Sequence, residues 1–319
     1  MGELEALDGL APCTFVYKAD PVRGAEWRRL FAELAPQIDF RIWPDVGDPA
    51  RVRYLAAWLP PDDLHAYSGL EVLFSVGAGI DQFDLEALPA RLPLVRMVEP
   101  GIVGGMVEYV TLAVLSIHRE WQAYAAQQRA EAWHALRVRP ASSRRVGVLG
   151  LGVLPRAVLS QLRSLGFPCA AWSRTQHDVD GVDCYAGAAA LPGFLSRCDI
   201  LVCLLPLTEE TRGILDRALF DRLPAGAALV HVGRGAHLVQ DDLLAALDQG
   251  SLAQAVLDVC EPEPLPPGHP LWRHPRVVLT PHIASMTQPA GAVRAVLDNL
   301  RRHQAGQPLE GLVQRRRGY

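Results

Sequence analysis

The sequence predicts an α/β chain of two domains, each built on a parallel sheet. Three observations carry this. Short apolar runs alternate with helical stretches in both halves, a polar, proline-containing stretch at 137–144 separates the two series, and the second series opens on a glycine turn between a strand and a helix. With 319 residues, 50% hydrophobic and 21% charged, the chain has room for one large domain or two medium ones and can bury a core.

In the first series the apolar runs 13–17, 40–43, 54–58, 72–75 and 94–98 read as strands. Between the first two, residues 25–34 place Trp27, Leu30, Phe31 and Leu34 at helical spacing. Residues 106–136 read as one long helix with apolar residues on more than one face. Such a helix needs cover from the other domain or from a second subunit, and a homodimer is expected. The second series begins with a strand at 145–150, followed by a helix at 153–165 that stops at Gly166 and a strand at 168–172. Further strands are expected at 199–205, 227–232, 254–258 and 277–280. A helix at 240–248 opens on Asp241 and Asp242, where the helix dipole favours acid, and ends at Gly250; a last helix covers 289–303.

Several function classes fall away. The longest nearly unbroken apolar run, 200–207, is far short of the ~20 residues that cross a bilayer, so neither a transmembrane span nor a membrane partner is expected. The start, Met1-Gly2-Glu3-Leu4-Glu5, is acidic and does not read as a secretory signal, which points to the cytoplasm. A net charge of −4 argues against a nucleic-acid partner, and Arg315-Arg316-Arg317 reads as a solvated tail. The six cysteines include no C-x-x-C pair, and Cys169, Cys198 and Cys203 lie in strand-like runs, as core residues of a reducing compartment do. Lys18 is the only lysine, which argues against Schiff-base chemistry, and neither a P-loop nor a G-x-S-x-G motif is present. His269, His274 and His282 with Cys260 match no zinc spacing, so no metal is expected.

Gly150-Leu151-Gly152, after a strand and before a helix, has the context of a dinucleotide turn on a Rossmann-type doubly wound sheet. The first glycine permits the turn and the second lets backbone approach a pyrophosphate at the positive helix end. Pro155 stands where the pattern has glycine or alanine and removes one N–H, which leaves the amides of Val153 and Leu154 to hold the phosphates. At the end of the next strand an NAD enzyme would carry Asp or Glu for the ribose. This chain has Ser173-Arg174-Thr175, a set suited to a 2′-phosphate, which favours NADP (NADPH) over NAD. The competing reading of Arg174 is a solvent-facing loop arginine.

Three more strand ends carry Gly233-Arg234-Gly235, the run from Asp258 through Glu261 and Glu263, and Thr280-Pro281-His282. An arginine, a carboxylate and an imidazole beside a nucleotide turn are what reduction of a 2-oxo acid needs: one group to hold a carboxylate and polarise the ketone, one to deliver a proton, and one to keep that donor charged. Trp43 and Trp58, at presumed strand ends, either line a substrate pocket or fill core.

At these residues the chain resembles the D-isomer-specific 2-hydroxyacid dehydrogenases. The likeness also runs through Ser75-Val76-Gly77-Ala78-Gly79-Ile80-Asp81 and the stretch from Leu204 to Thr211, and it is nearest to the glyoxylate and hydroxypyruvate reductase A branch. It implies a smaller flavodoxin-like substrate domain (1–98 and 287–319) and a dinucleotide-binding domain (99–286). It also implies NADPH-dependent reduction of small 2-oxo acids such as glyoxylate and hydroxypyruvate. By the same resemblance Arg234 binds the substrate carboxylate and carbonyl, His282 is the acid/base, and Glu263 is its partner, with Glu261 at the surface. Backbone N–H groups of Val76, Gly77, Ala78 and Gly79 would grip the substrate carboxylate. The cofactor would be met by Gly150, Gly152, Val153, Leu154, Ser173, Arg174, Thr175, Leu205, Pro206, Thr211, Val232, Gly233, Arg234, Asp258 and His282, with Asp258 facing the nicotinamide amide. The chain departs from the family at Pro155 and at His231, where asparagine is usual. The alternative is a nucleotide-sensing, corepressor-like binding protein on the same fold.

Overall fold

The computed structural model describes residues 9–315. The chain divides into two compact units: a smaller one, up to Ile102 and again from Met286, and a larger one, Val103–Ser285.

The smaller unit holds β1 (Cys13–Lys18), α1 (Pro21–Leu34), β2 (Ile38–Ile42), β3 (Val52–Ala57), β4 (Val72–Ser75) and β5 (Leu94–Val95), paired in parallel in the order β2-β1-β3-β4-β5. Helix α1 begins earlier than the apolar spacing indicates, because the Asp20 carboxylate accepts the N–H groups of Val22 and Arg23 and Pro21 occupies the first turn. Its Trp27, Leu30, Phe31 and Leu34 are buried, and the Phe31 ring lies 4.9 Å from that of Phe15 on β1. The expected strand at 94–98 shortens to two residues.

In the larger unit α2 (Pro100–His118) and α3 (Trp121–Arg129) precede β6 (Val146–Leu149), α4 (Val153–Ser164), β7 (Cys169–Ser173), β8 (Asp183–Ala186), α5 (Gly187–Leu195) and β9 (Ile200–Cys203). Then come α6 (Arg217–Phe220), β10 (Ala227–His231), α7 (Gln240–Gln249), β11 (Leu252–Leu257) and β12 (Val277–Leu279), before α8 (Pro289–Gln304) returns to the smaller unit. The seven strands form one parallel sheet in the order β12-β11-β10-β9-β6-β7-β8. Strands are added outward from β6 in opposite directions, β7 and β8 on one side and β9 to β12 on the other, and the crevice at that switch point, at the carboxyl ends of the strands, is where such sheets take ligands.

Two expectations are corrected here. The single helix at 106–136 is two helices, broken where Glu120 adopts a left-handed φ of 54°, and residues beyond Arg129 leave the helix. Arg315 is no solvated residue: its guanidinium donates to the carbonyls of Leu88, Pro89 and Leu92, while Arg316 and Arg317 lie outside the described residues, as does the acidic start. Helix α2 is long and apolar enough to cross a membrane by length and composition, a pattern that a search for unbroken apolar runs passes over. Its Met106, Val110, Ala113, Val114 and Ile117 are buried in one cluster with Val146 and Val148 of β6 and Val202 of β9, as a core helix requires.

Candidate active site

Every chemical motif of the second half sits at the carboxyl edge of the larger sheet. After β6, Gly150 takes φ +111°, and a Cβ there would stand 2.9 Å from the Leu204 carbonyl oxygen, so only glycine fits the turn. Gly152 caps α4 with no side-chain hydrogen bond and has nothing within 4 Å of where its Cβ would be. The exposed backbone at this helix end suits an anion. Pro155 is buried in the first turn and does not break the helix; the Arg156 N–H already reaches the Gly152 carbonyl, which leaves Val153 and Leu154 as the amides at the helix mouth.

After β7, Ser173 is buried and its hydroxyl donates to the Thr175 carbonyl at 2.7 Å, which folds the loop back. Arg174 is exposed and pairs with Glu210 at 3.1 Å. His177 bridges its neighbours, with Nε2 3.2 Å from the Thr175 hydroxyl and Nδ1 3.4 Å from the Arg156 guanidinium. Neither Glu210 nor His177 stands out in sequence, since Glu210 meets a residue 36 positions away and His177 one 21 positions away. After β9, Leu205 is buried, and the Thr211 hydroxyl closes the following loop by donating to the Pro206 carbonyl at 2.8 Å and accepting the Thr208 N–H at 2.8 Å.

The arginine turn follows β10. A Cβ on Gly233 would lie 2.9 Å from His237 Nδ1, and one on Gly235 would lie 1.9 Å from the Cys260 carbonyl oxygen. This packing seats half-buried Arg234 against the loop that carries Glu263. Val232, just before it, is core.

That loop and the one after β12 meet in a dyad. His282 Nδ1 and Glu263 Oε2 are 2.8 Å apart, and Glu263 Oε1 accepts the Cys260 N–H at 3.1 Å. Partial burial pushes the Glu263 carboxyl up, but the hydrogen bonds from His282 and Cys260 and the charges of His282 and Arg234 outweigh it and hold the group below its ordinary value. Glu261, two residues earlier, is exposed. His282 itself takes a left-handed φ of 54°, which costs a non-glycine residue strain that its surroundings must offset. Asp258 does this: its main-chain oxygen accepts the His282 N–H at 2.8 Å, and its buried carboxylate accepts Thr280 Oγ1 at 2.6 Å and the N–H groups of Ile283 and Ala284 at 2.8 Å each. The Asp258 carboxylate thus braces the His282 turn.

In the smaller unit the N–H of Val76 donates to the Ala57 carbonyl and that of Gly77 to Ser75 Oγ, while those of Ala78 and Gly79 have no acceptor among the described residues of that unit. Trp43 and Trp58 are partly exposed and fill no core; the Lys18 ammonium lies 5.4 Å from the Trp43 ring, and Trp58 edges the Gly77 loop. His269 caps a short turn through Nδ1 and His274 pairs with Asp248 at 3.3 Å, so neither joins His282. A different group, Cys203, His231 and His237, does gather its ligand atoms within 4.8 Å. His237 carried no sequence signal beyond its place three residues after Arg234.

Residues 111–284 match the D-isomer specific 2-hydroxyacid dehydrogenase family, NAD binding domain. The chain is 41% identical over 302 residues to a glyoxylate/hydroxypyruvate reductase A of Serratia proteamaculans, covering 92% of this chain and 96% of the relative. It belongs to the D-isomer specific 2-hydroxyacid dehydrogenase family. Among solved members, one from Xanthobacter autotrophicus in complex with NADPH and MES superposes with a TM-score of 0.92 at 38% identity, over 97% of this chain and 100% of that one. An NADPH-dependent glyoxylate/hydroxypyruvate reductase from Sinorhizobium meliloti, in complex with NADP and sulfate, gives a TM-score of 0.89 at 34% identity over the same shares.

Proposed function

We propose that this family member reduces small 2-oxo acids of the glyoxylate and hydroxypyruvate class to 2-hydroxy acids with NADPH. The observation that carries the reading is the convergence at one sheet edge of an anion-ready helix mouth, a glycine-flanked arginine and a carboxylate–imidazole dyad. The relatives of known activity are reductases, which disfavours the alternative of a nucleotide-sensing binding protein. In this reading the larger unit is the dinucleotide domain and the smaller one the substrate domain.

The site fits the cofactor. The open space at Gly152 and the Val153 and Leu154 amides suit a pyrophosphate, and Ser173, Arg174 and Thr175 suit a 2′-phosphate. Arg174 must give up Glu210, yet an exposed pair is worth about 0–1 kcal/mol. A charge-assisted hydrogen bond contributes about 1.5–3 kcal/mol, so the phosphate wins. When bound, the reduced nicotinamide supplies the hydride that the ketone carbon accepts. Arg234 holds the substrate carboxylate and polarises the carbonyl oxygen. His282, with Nδ1 committed to Glu263, presents Nε2–H to that oxygen and delivers the proton as the alkoxide forms. Glu263 fixes the ring's orientation. Carbonyl carbon and oxygen thereby gain hydride and proton, and the product is the 2-hydroxy acid.

A homodimer is supported by the exposed Leu112, Trp121 and Trp133 on and after α2 and α3, and sedimentation of the purified chain tests it. The six cysteines, all unpaired, fit a cytoplasmic setting. The decisive experiment is steady-state turnover of glyoxylate and hydroxypyruvate, followed at the nicotinamide absorbance. NADPH should exceed NADH by roughly tenfold to a few hundredfold in kcat/KM. Absence of turnover with either cofactor would sink the reading.

A further inference from the structure

The buried group of Cys203, His231 and His237 lies directly behind the arginine turn. His231, the last residue of β10, donates from Nε2 to the Arg234 carbonyl oxygen at 2.8 Å. His237 accepts the Arg234 N–H at Nδ1, 3.0 Å away. That acceptance puts the His237 proton on Nε2, which donates to the Pro206 carbonyl at 3.2 Å. The two rings meet edge to face at 5.7 Å, and neither has solvent contact. Both main-chain polar atoms of Arg234 are therefore gripped by imidazoles, one of them braced on the loop after β9.

The arrangement has a cost. His231 Nδ1 is buried with no hydrogen-bond partner among the described residues, an expensive condition for a polar atom. Burial, then the neighbouring His237, pushes His231 down to about 3 and keeps the ring neutral, so it donates one hydrogen bond and adds no charge beside the guanidinium. A metal site does not account for the group as well. A zinc-type site closes on three or more free ligand atoms, and three of the four ring nitrogens are already committed to backbone groups. The thiol left over, Cys203, is pushed up to about 12 by burial.

We propose that His231 and His237 are positioning residues that clamp the Arg234 peptide from both sides and so aim its guanidinium at the substrate carboxylate. The inference rests on the reading of Arg234 as the substrate arginine. It explains a departure from the family pattern, since His231 stands where asparagine is usual and an amide N–H can serve the same carbonyl.

The test compares His231→Leu, His231→Asn and His237→Leu in the full chain. The measurements are KM and kcat for glyoxylate at saturating NADPH, the NADPH Kd by fluorescence, the Tm, and metal content. The expected result is a KM about tenfold higher in both leucine variants, the loss of roughly one hydrogen bond's worth of aim, with the NADPH Kd unchanged. His231→Asn should stay within about threefold of wild type, because its amide restores the donor. An unchanged KM in His231→Leu, an NADPH Kd that rises in step with KM, or one equivalent of bound zinc in the wild type overturns the clamp. If the wild type turns over neither 2-oxo acid, the functional reading falls and takes the inference with it; an active wild type beside an unaffected His231→Leu overturns the inference alone.

Discussion

Two glycine turns, each after a parallel strand of the same sheet, use the same residue to opposite ends. At Gly150-Leu151-Gly152 the second glycine borders empty space, with nothing within 4 Å of a Cβ position. At Gly233-Arg234-Gly235 the second glycine is pressed onto another loop, its Cβ position 1.9 Å from the Cys260 carbonyl oxygen. The first turn keeps room for a guest. The second removes room, so that one loop's arginine and another's glutamate share a site. A G-x-G pattern alone does not distinguish the two uses; what a Cβ would meet does.

The largest expected effect probes what the tight turn serves. His282→Ala removes the proton donor and should lower kcat by roughly 10²–10⁴, while titration calorimetry finds NADPH binding far less affected because the open turn is untouched. Near-normal kcat would remove the dyad from the chemistry. Next come the two glycines themselves. Gly235→Ala overpacks backbone and should destabilise by about 1–3 kcal/mol, seen as a lower Tm together with lost turnover. Gly152→Ala has space and an ordinary φ of −75°, so its Tm should hold while the NADPH Kd rises. Equal Tm losses in both would erase the contrast.

Much of this was legible beforehand, for physical reasons. The strand–glycine–helix sequence at Gly150 and the apolar periods on β6, β9 and β10 are local signals, and the motif ends follow from strand direction. The break at Glu120 was not legible, because a left-handed glutamate carries no glycine or proline marker. Strand β8 and helix α5 were missed because Asp183–Ala186 is short and half-exposed, and the helix after it contains Gly187, Pro192 and Gly193. The Arg174–Glu210 pair spans 36 residues and the His237 contact is to a backbone N–H, neither of which leaves a trace in residue order.

A smaller effect is expected from the dyad's charge. Glu263 titrates below its ordinary value of 4.5, so the pair contributes stability above that value and loses it as pH falls through the lower, folded-state value. Thermal melts of wild type and Glu263→Gln should therefore differ near neutral pH and converge under more acidic conditions. The variant's kcat should fall less than that of His282→Ala, since an amide oxygen still orients the ring. A Tm difference independent of pH would mean the carboxylate acts by packing. The smallest effect belongs to the rim of the open turn. Glu210→Gln frees Arg174 from its exposed partner and should tighten NADPH by a few-fold at low salt, matching the ~0–1 kcal/mol of such pairs. NADH should be unaffected, and a gain for both cofactors would show that the pair acts on the loop as a whole.

The smaller unit is assembled from two pieces of chain that flank the larger one, and this orders events during synthesis. Residues Ala292, Val293, Val296, Leu297 and Leu300 of α8 are buried, the Ala11 N–H bonds to Gln304, and Val313 bonds to Leu94. None of these contacts can form until the chain has been made well past Ser285. The larger unit, continuous in sequence, closes only its own loops and can complete its sheet first. The first five strands leave the ribosome before the helix that covers them exists. At about 5–20 residues per second they wait of the order of ten seconds or more with apolar surface uncovered, the interval in which a chaperone would find this chain.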